Sequence, residues 1–295
     1  MSIYNQLKGT GVAIITPFTK TKAVDFAGLS KLINHLIKGK VEYLVVLGTT
    51  GETATLTKEE KQQVIDHVIK ETKKRVPLVL GIGSNNTQEV IDTIKYTDLS
   101  AFAAILSVSP YYNKPSQQGI YEHYKVIAQS TTKPIILYNV PGRTASNITA
   151  DTTLKLAHEF KNIVAIKEAS GNIEQCMSII KNRPKNFLVI SGDDNLTLPL
   201  LACGADGVIS VLANAYPKDF SEMVRCGLKG DFKTASKLHY KTFEITNQLF
   251  ADGNPGGVKI ALELLKVCGP DVRLPLVKPN EGVQSKLKQL VASYK

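Results

Sequence analysis

A single lysine, Lys167, interrupts the otherwise apolar run NIVAIKEAS that starts at Asn162. Core residues on both sides would strip its amine of water, and burial favours the neutral form of an amine. A neutral amine attacks carbonyls, so Lys167 is a candidate Schiff-base nucleophile; the competing readings are an ion pair with Glu168 or a lysine reaching solvent. Tyr138 closes the preceding apolar run, in IILYNVPGRT. A phenol beside the amine can shuttle protons between amine, carbinolamine hydroxyl and substrate oxygen, the alternative being a satisfied core tyrosine. Thr49 and Thr50 lie in LGTTGE, a turn whose glycines let backbone amides converge on an anion such as a carboxylate. Arg143, just past Pro141 and Gly142, offers a two-pronged fork for a second carboxylate, or is simply a surface arginine.

Several chemistries lack their residues. None of the five histidines, His35, His67, His123, His158 and His239, closes an apolar run, which argues against a histidine metal site or a histidine-based nucleophile relay. Asp193 and Asp194 read as a helix cap rather than as ligands of a divalent cation. The turns SGDDN and SVLAN that close the last two runs lack a glycine-rich phosphate grip, so a substrate without a phosphate handle is expected. Cys176, Cys203, Cys226 and Cys268 are widely spaced with no CxxC pair and fit reduced packing thiols.

The candidate residues for chemistry, Lys167, Tyr138, Thr49 and Thr50 with Arg143 just beyond, share a position at the ends of a series of short runs rich in Val, Ile and Leu. The runs start at Gly11, Val41, Val76, Ala101, Pro134, Asn162, Asn186 and Ala205. Hydrophobicity that is continuous rather than alternating marks strands buried on both faces, as in parallel sheets covered by helices. Amphipathic stretches separate the runs, and Thr57 with Glu60 has the spacing of a capping box. Eight strand-helix repeats predict an α/β protein, a (β/α)8 TIM barrel over residues 1–215. A helical C-terminal extension follows over 216–295, where segments at Phe220–Leu228, Phe232–Phe250 and Val258–Val267 read as helices. A doubly wound open sheet is the alternative, but no GxGxxG turn follows the first run. In a barrel of this kind the site sits where the strands end. Thr16, Ser84, Asn85, Tyr111, Tyr112, Asn113, Asn139, Ser210 and Asn214 close the other runs.

With 295 residues, 43% hydrophobic and 21% charged, the composition is that of a soluble globular chain. No apolar run approaches the roughly 18 to 20 residues that span a bilayer, and the start MSIYNQLKG is not laid out as a signal peptide, so a cytoplasmic protein without membrane association is expected. The formal charge of +10 permits nucleic-acid binding, but the lysines are scattered, and a solvated surface with no nucleic-acid partner is the expectation.

GTTGE at Gly48–Glu52, SPYYNKPSQQG at Ser109–Gly119, YNVPGRT at Tyr138–Thr144, IKEASGN at Ile166–Asn172 and SGDD at Ser191–Asp194 resemble the Schiff-base-forming pyruvate lyases and synthases, in their dihydrodipicolinate synthase branch, over nearly the whole chain. The resemblance implies condensation of pyruvate with (S)-aspartate-4-semialdehyde on the diaminopimelate and lysine pathway, with no metal or organic cofactor. It makes Lys167 the imine-forming residue and Tyr138, Thr49 and Tyr112 a proton relay, with Tyr112 supplied by the neighbouring subunit of a homodimer or dimer of dimers. It gives Thr49 and Thr50 the pyruvate carboxylate, Arg143 the semialdehyde carboxylate, and Gly192 and Ile209 the pocket near the imine. A sialic-acid or sugar-acid aldolase would share Lys167 and Tyr138 but not Arg143; a basic nucleic-acid-binding barrel would rest on charge alone. In lysine-inhibited relatives the positions of Asn85, Glu89 and Tyr111 hold the inhibitor. Lys58 and Lys61 stand where such enzymes often carry uncharged groups, so weak or absent inhibition by L-lysine is expected.

Overall fold

The computed structural model describes residues 2–294. Its strands are β1 (Gly9–Ala13), β2 (Tyr43–Val46), β3 (Leu78–Gly81), β4 (Ala104–Val108), β5 (Ile135–Asn139), β6 (Ile163–Glu168), β7 (Leu188–Ser191) and β8 (Gly207–Ser210). Each pairs in parallel with the next, and β8 pairs with β1, closing the predicted eight-stranded barrel. Nearly every strand position is buried. Inward side chains such as Val45, Val79, Leu106, Ile136 and Ile190 fill the barrel, and the others pack under the helices, which is why the runs read as continuously apolar.

Most helices open on polar caps. The Thr57 hydroxyl accepts from the Glu60 amide at 3.2 Å and the Glu60 carboxylate accepts from the Thr57 amide at 3.0 Å, the expected capping box. Asn86, Ser116, Thr149 and Asn172 cap the helices Thr87–Tyr96, Gln117–Ser130, Ala150–Glu159 and Ile173–Asn182. Each such cap is worth about 1 kcal/mol. Asp193 and Asp194 depart from expectation: the helix after β7, Thr197–Ala202, has no side-chain cap. Asp193 instead closes a turn by accepting from the Asn195 and Leu196 amides. One oxygen of buried Asp194 accepts from the Val211 and Leu212 amides at 3.1 and 2.9 Å, tying the end of β7 to the end of β8.

The seam between β8 and β1 is built from glycine. Gly207 is the register partner of Gly9, and a Cβ on Gly207 would lie 2.1 Å from the Gly9 carbonyl oxygen. Helix Pro217–Leu228 packs on β1 and on helix Phe26–Lys38, with Ser221 Oγ donating to the Gly39 carbonyl at 2.9 Å. Helices Phe232–Phe250, Gly256–Leu264 and Glu281–Ser293 pack on one another beyond it. Among the described residues no helix is long and apolar enough to cross a membrane.

Candidate active site

The sheet register sets Lys167 on β6 directly beside Tyr138 on β5 and Ile190 on β7. Successive residues of a strand point to opposite faces, so Lys167 turns into the barrel with Tyr138 while Glu168 turns away. Lys167 is 5% exposed, and its Nζ lies 4.2 Å from the centre of the Tyr138 ring. Glu168 is not its counter-ion. The Glu168 carboxylate accepts from Asn139 Nδ2 at 3.0 Å, Gln175 Nε2 at 2.8 Å and the Ser170 amide at 2.8 Å. That settles the ion-pair reading of Lys167 against Glu168 by geometry. It also reveals a buried polar network behind the amine, in which Asn139 further binds Asn147 and the Ile148 amide.

Gly192 stands against the lysine stem, where a Cβ would meet Ala169 Cβ at 2.6 Å and Lys167 Cε at 3.1 Å. Ile209 is 1% exposed and belongs to the barrel-interior cluster that holds Tyr138 and Ile190. Gly192 thus lies beside the lysine stem and Ile209 in the barrel interior, and neither is on the wall of the neighbouring cleft.

Thr49 and Thr50 sit in a short 3-10 turn, Thr49–Gly51, directly after β2. Thr49 is exposed to the cleft and Thr50 is buried, its Oγ accepting from Asn254 Nδ2 at 3.0 Å. Glu52 ends the turn in the left-handed region at φ 52°. Its carboxylate is wholly buried and meets Lys259 Nζ at 2.5 Å on one oxygen and the Arg273 amide at 2.9 Å on the other. Burial pushes the Lys259 amine below the ordinary lysine range, and Glu52 opposes that shift. Neither Asn254 nor Lys259 was singled out by sequence reasoning. The signals were the GNPGG run that breaks a helical region and a lone lysine in the apolar GGVKIALELL.

Arg143 lies in the short helix Pro141–Thr144, its side chain exposed. A cleft of about 830 Å³ opens onto Thr49, Tyr138, Arg143 and Asn254, and also onto Lys58, Lys61, Glu89 and Tyr111. Lys167 is not itself on the cleft wall; its amine is one ring away, against Tyr138. Thr50, Gly192 and Ile209 are not on the cleft wall either, and Tyr112 is the candidate that points farthest into solvent. It is 88% exposed, at φ 73°, on the loop after β4. Asn85 is likewise not among the lining side chains. Among the described residues no group of three or more His, Cys, Asp or Glu is placed to hold a metal ion. The arrangement supplies a shielded amine, a phenol beside it, a threonine turn and a guanidinium, which suits imine chemistry on a small carbonyl compound that carries a carboxylate.

Residues 6–294 match the model of the dihydrodipicolinate synthetase family. A 4-hydroxy-tetrahydrodipicolinate synthase of Flavobacterium psychrophilum is 53% identical over 279 residues, 95% of each chain. One of Phocaeicola vulgatus is 50% identical over 293 residues, 99% of each chain. The crystal structure of dihydrodipicolinate synthase from Aquifex aeolicus superposes with a TM-score of 0.94 at 41% identity, covering 98% of each chain.

Proposed function

This chain belongs to the dihydrodipicolinate synthetase family, and we propose that it condenses pyruvate with (S)-aspartate-4-semialdehyde through an imine on Lys167, giving 4-hydroxy-tetrahydrodipicolinate. The observation that carries the mechanism is the pairing of Lys167 with Tyr138 at the carboxyl end of β5 and β6. The lysine amine adds to the pyruvate ketone and water leaves, forming the imine. Loss of a methyl proton gives an enamine whose carbon attacks the semialdehyde. The substrate amine then closes onto the imine carbon and expels Lys167.

Tyr138 and Thr49 relay protons during imine formation, and Tyr112 completes the relay from a second copy of the chain, which accounts for its exposure in a single copy. Thr49 and Thr50 bind the pyruvate carboxylate; Arg143, on the cleft wall, receives the semialdehyde carboxylate and separates this reading from a sugar-acid aldolase. Borohydride added with pyruvate should reduce the imine and leave the mass of pyruvate, less water plus two hydrogens, on the peptide that contains Lys167. Labelling at another lysine, or none, would remove Lys167 from the mechanism.

A further inference from the structure

We propose that Asn254, in the C-terminal part of the chain, is a positioning residue for pyruvate that aims the hydroxyl proton of Thr50 at the pyruvate carboxylate. This rests on the reading of Thr50 as a carboxylate contact given above. Asn254 and Thr50 are 9% and 3% exposed, and Asn254 Nδ2 donates to Thr50 Oγ at 3.0 Å across 204 residues of sequence. A threonine hydroxyl has one proton and two lone pairs, whereas a carboxylate only accepts. Once Asn254 occupies a lone pair, the proton is left free to point elsewhere, toward the anion. A neighbour that accepted from Thr50 would do the opposite and turn lone pairs toward the carboxylate.

Two further observations support a role beyond packing. The Asn254 Oδ1 atom is buried without a hydrogen-bond partner among the described residues. An orphaned buried carbonyl costs stability, so the amide is not explained by the fold's own energetics, and its one side-chain bond ends on Thr50. Asn254 also lines the same cleft as Thr49, Tyr138 and Arg143. Its frame is fixed: the Lys259 amine and the Arg273 amide, from the same part of the chain, grip Glu52, two residues past Thr50.

The test uses the full chain and steady-state kinetics, begun only after the unmodified protein has trapped pyruvate on Lys167. A failure of that trapping falls on the proposed function and not on Asn254. Asn254→Ala should raise the KM for pyruvate about tenfold, the worth of one hydrogen bond, while the KM for the semialdehyde and kcat stay within about threefold. Asn254→Asp, which can only accept, should raise it further with the fold kept, and it decides the matter alone if the alanine variant does not fold. In a Thr50→Val background, Asn254→Ala should add nothing to the KM for pyruvate, because the group it acts through is gone. An unchanged KM for pyruvate, equal changes for both substrates, or additive effects in the double variant would overturn the proposal.

Discussion

Tyr138 and Lys167 are register partners across β5 and β6, and the lysine amine rests 4.2 Å from the centre of the phenol ring. The ring and the hydroxyl have separable uses: the face shields the amine, and the hydroxyl moves protons. Tyr138→Phe should therefore keep the fold and slow both pyruvate trapping and turnover by about 10² or more, the usual worth of a positioned acid-base group. Trapping and turnover near the unmodified rates would assign proton transfer to another residue.

Arg143 is exposed on the cleft wall and a half-turn past Pro141, so its loss leaves no buried group unpaired. Arg143→Ala should raise the KM for the semialdehyde by about tenfold or more, leave that for pyruvate nearly unchanged and leave thermal stability within about 0.5 kcal/mol. Equal effects on both substrates would place the guanidinium on the pyruvate side instead.

The barrel was legible because a parallel sheet buried on both faces leaves unbroken apolar runs, and because the site of such a barrel collects at the ends of those runs. Lys167, Tyr138, Thr49 and Arg143 could be picked out on that ground alone. The limits were of one physical kind. A lone lysine in an apolar segment describes Lys259 as well as Lys167, and only the fold shows that both amines rest on an aromatic face while Lys259 alone is answered by a buried carboxylate. Partners such as Glu52 and Lys259, or Thr50 and Asn254, are about 200 residues apart, and no local pattern encodes their meeting. Asp194 failed for a related reason: the amides it serves belong to the segment after the next strand, not to its own helix.

The Glu52–Lys259 pair makes a stability prediction. Both side chains are fully buried, so Glu52→Gln leaves an ammonium in the core with amide and carbonyl oxygens to accept from it but without the carboxylate that balanced its charge. Removing one member of such a pair costs about 3–5 kcal/mol. Urea unfolding should show that loss for Glu52→Gln, and a Glu52→Gln, Lys259→Met double variant should recover much of it. A single variant as stable as the unmodified chain would mean that the lysine is neutral in the folded protein.

Asp194 should impose a pH dependence. Burial raises its carboxyl from an ordinary 3.8 to about 6, against hydrogen bonds from Ser210, Leu212 and Val211. With the folded value above the unfolded one, the stability it contributes is fully present below pH 3.8 and is lost as the pH rises through about 6. Both amides use one oxygen, which an asparagine carbonyl can take over, and the Ser210 hydroxyl stands beside the carboxyl. Asp194→Asn should be more stable than the unmodified chain at about pH 8, by up to about 3 kcal/mol, with the margin shrinking toward about pH 4. Melting curves across that range check it, and a margin independent of pH would exclude this carboxyl as the titrating group.

Inhibition by L-lysine should be weak. Lys58 and Lys61 share the cleft wall with Glu89 and Tyr111, and Glu89 is already engaged by Ser84 Oγ at 2.7 Å. A cationic ligand there meets two ammonium groups, each unfavourable by roughly 1 kcal/mol even with water between them. Rates measured at saturating pyruvate should fall little as lysine is raised into the millimolar range. Strong inhibition below that range would show that Glu89 and Tyr111 outweigh the two lysines.

The glycine seam has a consequence for how the chain is made. Gly9 leaves the ribosome about 200 residues before its partner Gly207. Throughout that interval β1 is an unpaired edge on one side, and a growing sheet with an open edge is exposed to pairing with other chains. The helices laid down meanwhile can cover its faces but not that edge. A nascent chain stalled before β8 should thus bind holdase chaperones, and release from them should coincide with the emergence of the residues around Gly207.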